Sequence, residues 1–145
     1  MIYSLCILIA DESTLTLVLL ADALNKAFAN SPLIEVKLVH RTERSWDKNP
    51  AVVVHDREIE YEWTITTSEC EDPMDPDERA EILENVADHP DYQKITSCKC
   101  SFYVESEKDY DLDYLDIYAT VVETLQEFPG VYVFDSDLKL FPPMP

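Results

Sequence analysis

The apolar residues of this chain change period along its length, from every second position to every third or fourth and back. That restricts it to a mixture of strands and helices. Met1 to Ala10 is apolar at odd and even positions alike, which suits a strand covered on both sides or at a buried edge. From Leu17 the apolar residues Leu17, Leu20, Ala21, Leu24, Ala27 and Phe28 fall on one helical face, with Asp11 or Ser13 available as cap and Asn30-Ser31-Pro32 as terminator. Leu33 to Arg41 alternates again, with Ile34, Val36 and Leu38 inward, and completes a β-α-β unit.

After a polar loop from Thr42 to Pro50, Ala51 to His55 reads as a strand, Asp56-Arg57 as a turn, and the following residues as a strand with Ile59, Tyr61, Trp63 and Ile65 inward. Glu58, Glu60 and Glu62 then share the wet face as a carboxylate ladder. Ser68 to Asp77 is an acidic loop; Pro76 fits the first position of a helix that runs to about Asp88, and His89-Pro90 stops it. Tyr92 to Glu105 reads as one long strand, with Lys94, Thr96, Cys98, Cys100, Phe102 and Val104 on one face. Residues 109 to 128 predict a helix with Leu112, Leu115, Ala119, Val122 and Leu125 on its apolar side and Pro129-Gly130 at its end. Val131 to Phe134 and Leu138 to Phe141 read as a closing hairpin. The expectation is an α+β chain, one domain over residues 1–145, in the order β-α-β-β-β-α-β-α-β-β. It describes a ferredoxin-like two-layer sandwich with an inserted meander, a mainly antiparallel sheet, and helices on one face.

Thirty acidic side chains against eleven basic ones leave a formal charge of -19, while 46% hydrophobic residues suffice for a core and argue against a disordered acidic tail. So negative a chain disfavours direct binding to nucleic-acid phosphates or anionic lipid. The apolar opening has no basic leader and is too short to span a bilayer, which points to the cytoplasm. Cys6, Cys70, Cys98 and Cys100 are expected as buried reduced thiols, since Cys98 and Cys100 on one strand face pair awkwardly.

A lone glycine, Gly130, argues against phosphate-cradling loops and dinucleotide turns, which need several. Cys98-Lys-Cys100 beside His89 lacks the second ligand pair of a structural zinc site. The run Asp109-Tyr-Asp111-Leu-Asp113 lacks the glycine turn and terminal glutamate of a calcium loop. No cofactor, metal or catalytic set is expected, so the chain does not read as an enzyme. A small enzyme using paired carboxylates is the reading left over, and it would need them in a concave pocket.

The organised feature is the acid itself. Asp109, Asp113, Asp116, Glu123 and Glu127 recur three, four or seven apart, which on a helix makes a stripe about 27 Å long. Between Asp109 and Gly130 no Lys or Arg relieves the repulsion, and Tyr110, Tyr114 and Tyr118 form their own i, i+4 row alongside. Those rings either join the carboxylates in meeting a cationic protein or cover the sheet. The plain alternative for the stripe is a solvated helix face.

In its small size, acidity, scarcity of glycine and layout, including the Val131 to Phe141 ending, the whole chain resembles the immunity proteins of bacterial polymorphic toxin and contact-dependent growth inhibition systems. That resemblance implies a cognate basic toxin domain, possibly a nuclease, neutralised by stoichiometric occlusion. Asp109, Asp113, Asp116, Glu123, Glu127 and the Glu58, Glu60, Glu62 ladder would meet its cationic surface. A DNA mimic that inhibits restriction or CRISPR nucleases starts from the same physics, but would bind several unrelated DNA-binding proteins.

Overall fold

The computed structural model describes residues 3–10, 13–39, 50–58, 61–67, 76–87, 89–98, 100–107 and 114–142. Its elements are β1 (Ser4–Ile9), α1 (Leu17–Ala27), β2 (Ile34–Val39), β3 (Ala51–Asp56), β4 (Tyr61–Thr67), α2 (Pro76–Asn85), α3 (Tyr92–Thr96), β5 (Cys100–Ser106), α4 (Leu115–Gln126) and β6 (Val131–Asp135). The six strands form one antiparallel sheet in the order β2-β3-β4-β5-β1-β6.

β1 lies between β5 and β6, with Ile7 opposite Phe102 on one side and Val133 on the other. Its odd residues Leu5 and Ile7 join Val52, Val54, Tyr61, Trp63, Ile65, Val104, Val131 and Val133 beneath α1 and α4. Its even residues Cys6 and Leu8 join Tyr132 and Phe134 beneath Ile82 of α2, Val86 just past its end, and Ile95 of α3. Because side chains alternate across a strand, these are cores on opposite sides of the sheet. The expectation of helices on one face is therefore corrected. Among the described residues the second core covers the β5-β1-β6 half, and the β2-β3-β4 half keeps a face bearing the half-buried or exposed Glu35, Lys37, His55, Glu62, Thr64 and Thr66.

The element order departs from expectation in two places. Tyr92 to Thr96 is a short helix and not the start of a strand: Ile95 turns into the second core, and the Arg79 guanidinium binds the carbonyls of Thr96 and Cys98. The Thr96 carbonyl belongs to the last turn of that helix, an end where a cation is favoured. Cys98 thus precedes β5, as a buried thiol that donates to the Lys94 carbonyl. At the other end, the returning arm of the expected hairpin is a single bridge between Asp135 and Leu140. The Asp135 carboxylate accepts the N–H groups of Asp137 and Leu138, and Lys139 takes a left-handed φ of 55°, so the arm cannot run straight.

α1 is capped by Thr16, whose hydroxyl accepts the Leu19 N–H at 3.1 Å, and not by Asp11, which lies outside the described residues, or Ser13, whose hydroxyl accepts the Leu15 N–H. Thr16→Ala is expected to cost about 1 kcal/mol in urea unfolding, because it leaves a first-turn donor without its partner. Gly130 follows α4 at a φ of 74°, a conformation that glycine adopts without a Cβ clash, and its carbonyl accepts the Ala10 N–H.

Candidate partner-binding surface

α4 begins at Leu115, so the residues expected in its first turns, Asp109, Tyr110 and Asp113 among them, lie outside the described residues. Its buried side is Ile117, Val121, Val122 and Leu125, with Thr124 and Gln126. Leu115, expected inward, is 48% exposed, and Ala119 is exposed as well. The helix is turned about its axis relative to the reading from its aliphatic residues, because its tyrosines occupy the sheet side.

The Tyr114 ring stacks on Tyr61 at 3.7 Å between centroids. Tyr118 packs against Tyr3 at 5.1 Å and edge-on to Trp63 at 6.1 Å. Tyr3 and Trp63 stack in turn, and the indole N–H donates to the Tyr61 hydroxyl at 3.0 Å. These rings cover the sheet, so Tyr114 is not part of an outward row beside the carboxylates. Tyrosine suits this place because a phenol ring can fill a core while its hydroxyl finds a polar partner.

That partner, for Tyr118, is the buried Asp135, which accepts the phenolic proton at 2.7 Å. Burial, first, and the adjacent carboxylate raise the Tyr118 hydroxyl above the ordinary tyrosine range. Sequence reading missed Asp135, although an acid ending an otherwise apolar strand was a usable signal.

On the opposite side of α4 stand Asp116, Glu123 and Glu127, all exposed. At 100° per residue they fall within a narrow arc, over roughly 16 Å of helix. Among the described residues no basic side chain pairs with any of them. Asp116 in the first turn suits the helix dipole; Glu123 and Glu127 at the far end oppose it and repel each other at i, i+4. Since β1 and β5 run in opposite directions, α1 and α4 do too, which brings the exposed Val18 and Leu19 of α1 to the end of the layer that holds Glu123 and Glu127. Carboxylates beside exposed aliphatic side chains are the ingredients of a protein interface with an apolar centre and a charged surround.

Of the other acids expected at the interface, the described Glu58 and Glu62 are elsewhere. Glu62 points away from α4, on the wet face of β4, with its carboxylate 3.3 Å from His55 Nδ1. Glu58 sits in the turn before β4, where its N–H binds the Asp56 carboxylate, and Glu60 lies outside the described residues. Glu35 shares that wet face, held below the ordinary carboxylate range by its hydrogen bond to Lys37 and by the charges of Lys37 and Arg57. Glu62 and the α4 stripe therefore do not share one surface: the sheet separates them.

Elsewhere, His89, Gln126, Tyr132, Phe141 and Pro142 line a crevice too narrow to admit water. The described residues bring no three His, Cys, Asp or Glu side chains together as a metal site, and hold no helix long and apolar enough to cross a membrane. No protein-family model matches the chain, and no curated protein or solved structure matches it either.

Proposed function

We propose that the chain is a protein-binding inhibitor of the immunity type, which neutralises a basic toxin domain, possibly a nuclease, by occupying the surface that the toxin needs. The observation that carries this is the exposed row of Asp116, Glu123 and Glu127 with no cation paired to it among the described residues, on a helix whose last turn they destabilise. A cationic partner removes that cost on binding, and the field of an acidic body speeds its capture. The docking face is the outer side of α1 and α4, with Val18, Leu19 and Leu115 as apolar contacts. Glu62, which pairs with His55 on the far side of the sheet, lies outside it.

The sheet is read as a ferredoxin-like arrangement with β3 and β4 inserted. In support, β5-α4-β6 encloses β1, and with β3 and β4 set aside the strand order is β2-β5-β1-β6. The chain is placed in the cytoplasm, where a buried thiol such as Cys98 stays reduced.

Capture from the source cells, run in parallel with the tagged chain and with an Asp116→Lys/Glu123→Lys chain, tests the reading. One tightly held basic partner, recovered with the first and lost with the second, is expected. Equal recovery returns the stripe to a solvated helix face, and several unrelated DNA-binding proteins in the eluate favour the DNA mimic.

A further inference from the structure

β2 is an outer strand of the sheet, and its chemistry is complementary to itself. The Arg57 N–H donates to the Leu33 carbonyl, which makes Leu33 and Arg57 a hydrogen-bonded pair and sets the alternation down the ladder. Glu35, Lys37 and Val39 turn their backbone groups toward β3. Those of Ile34, Val36 and Leu38 therefore point out of the sheet, where among the described residues only the Ile34 N–H is used, by the Ser31 carbonyl. Outward N–H and C=O groups of this kind form a template for another strand.

We propose that two copies of the chain associate through β2, antiparallel, about a two-fold axis at Val36. The two Val36 residues then exchange both backbone hydrogen bonds, as their outward groups require. Glu35 faces Lys37 of the second copy, and Lys37 faces its Glu35, in non-hydrogen-bonded pairs where side chains are closest. On the core side Ile34 meets Leu38, both half-buried at the rim of the first core, and on the wet side the exposed Leu33 meets Val39. Moving the axis to residue 35 sets Glu35 against Glu35, and moving it to residue 37 sets Lys37 against Lys37. An axis between residues would put apolar side chains on the wet face. Charge and pleat together select Val36.

The net charge of -19 does not forbid this contact, because the acid is concentrated elsewhere. Residues 26–57, the stretch containing β2, hold six of the eleven basic side chains against four acidic ones. At a Debye length of about 8 Å in physiological salt, acids on the far elements are screened from the axis. A six-residue strand pair is small for an interface, so the association is micromolar and leaves α1 and α4 exposed.

Sedimentation equilibrium at about 100 μM protein and physiological ionic strength tests it. The expected result is a particle of twice 16.7 kDa, which Lys37→Glu weakens at least about tenfold by turning both attractive pairs repulsive. Val36→Pro removes an N–H that has no partner among the described residues, a change an outer strand tolerates, and should give a monomer with native circular dichroism. Glu35→Lys should likewise be monomeric alone, yet pair with the Lys37→Glu chain when the two are mixed, since every opposed pair is then of opposite sign. A monomeric wild-type chain overturns the proposal. So does a dimer that persists in both Lys37→Glu and Val36→Pro, or a mixture that stays monomeric.

Discussion

Replacing Asp116 and Glu123 with lysine is expected to lower affinity for the basic partner at least about tenfold at low salt while the chain stays folded. Both side chains are exposed and bind no other side chain among the described residues, so reversal removes none of the contacts described. Helix stability should hardly move. Lysine at position 123 suits the last turn and pairs at i+4 with Glu127, which offsets the loss of an acid from the first turn to within about 1 kcal/mol. Binding and folding then respond independently, a separation that a merely structural role would not produce. Because the contact is between surface charges, the difference between the two chains should shrink in about 1 M salt, where the Debye length is only about 3 Å. Titration calorimetry against the captured partner at two ionic strengths reads both effects, and equal affinities at low salt would leave the stripe as a solvated face.

The second large effect concerns stability. Asp135→Ala strips acceptors from the half-buried Tyr118 hydroxyl and from the N–H groups of Asp137 and Leu138. A loss of about 3 kcal/mol in urea unfolding at neutral pH is expected, since three hydrogen bonds to a charged group, the stronger kind, are lost together. Tyr118→Phe should cost less at neutral pH and change the alkaline limb. The folded-state pKa of Tyr118 is raised, so its stabilising effect is fully present below the unfolded tyrosine value of about 10 and is lost as pH climbs from there toward the folded value. The wild-type chain should therefore weaken relative to Tyr118→Phe above about pH 10. Parallel slopes for the two chains would show that the phenol is not held neutral by its surroundings.

How much of this was legible in the sequence depended on the length and purity of each pattern. α1 and the inward series Tyr61, Trp63, Ile65 were readable because each sustains one period and buries one side. β1 from Leu5 to Ile9 and β6 from Val131 to Phe134, apolar at every position, carried the signal of cover on both faces, although choosing a two-layer fold left the second cover unplaced. α3 was not readable: five residues make barely more than one turn, and Lys94, Thr96, Cys98 continued the alternation of β5 by coincidence. The rotation of α4 escaped for another reason. Aliphatic periodicity ignores rings, and Tyr114 and Tyr118 outweighed Leu115 and Ala119 in claiming the sheet. That Glu62 and Asp116 lie on opposite sides of the sheet is a fact of topology, invisible to a residue-by-residue reading.

The place of β1 between β5 and β6 has a consequence for biosynthesis. Of the described strands β1 leaves the ribosome first, and its two neighbours β5 and β6 follow about a hundred residues later, with Ile7 waiting for Phe102 and then Val133. Until those arrive the nascent chain carries an oily ribbon with two unpaired rims, and closing so long a loop delays the native state. Vulnerability to misassembly is thus concentrated in the interval of translation before the last strand emerges, a load that falls on cotranslational chaperones rather than on the finished molecule.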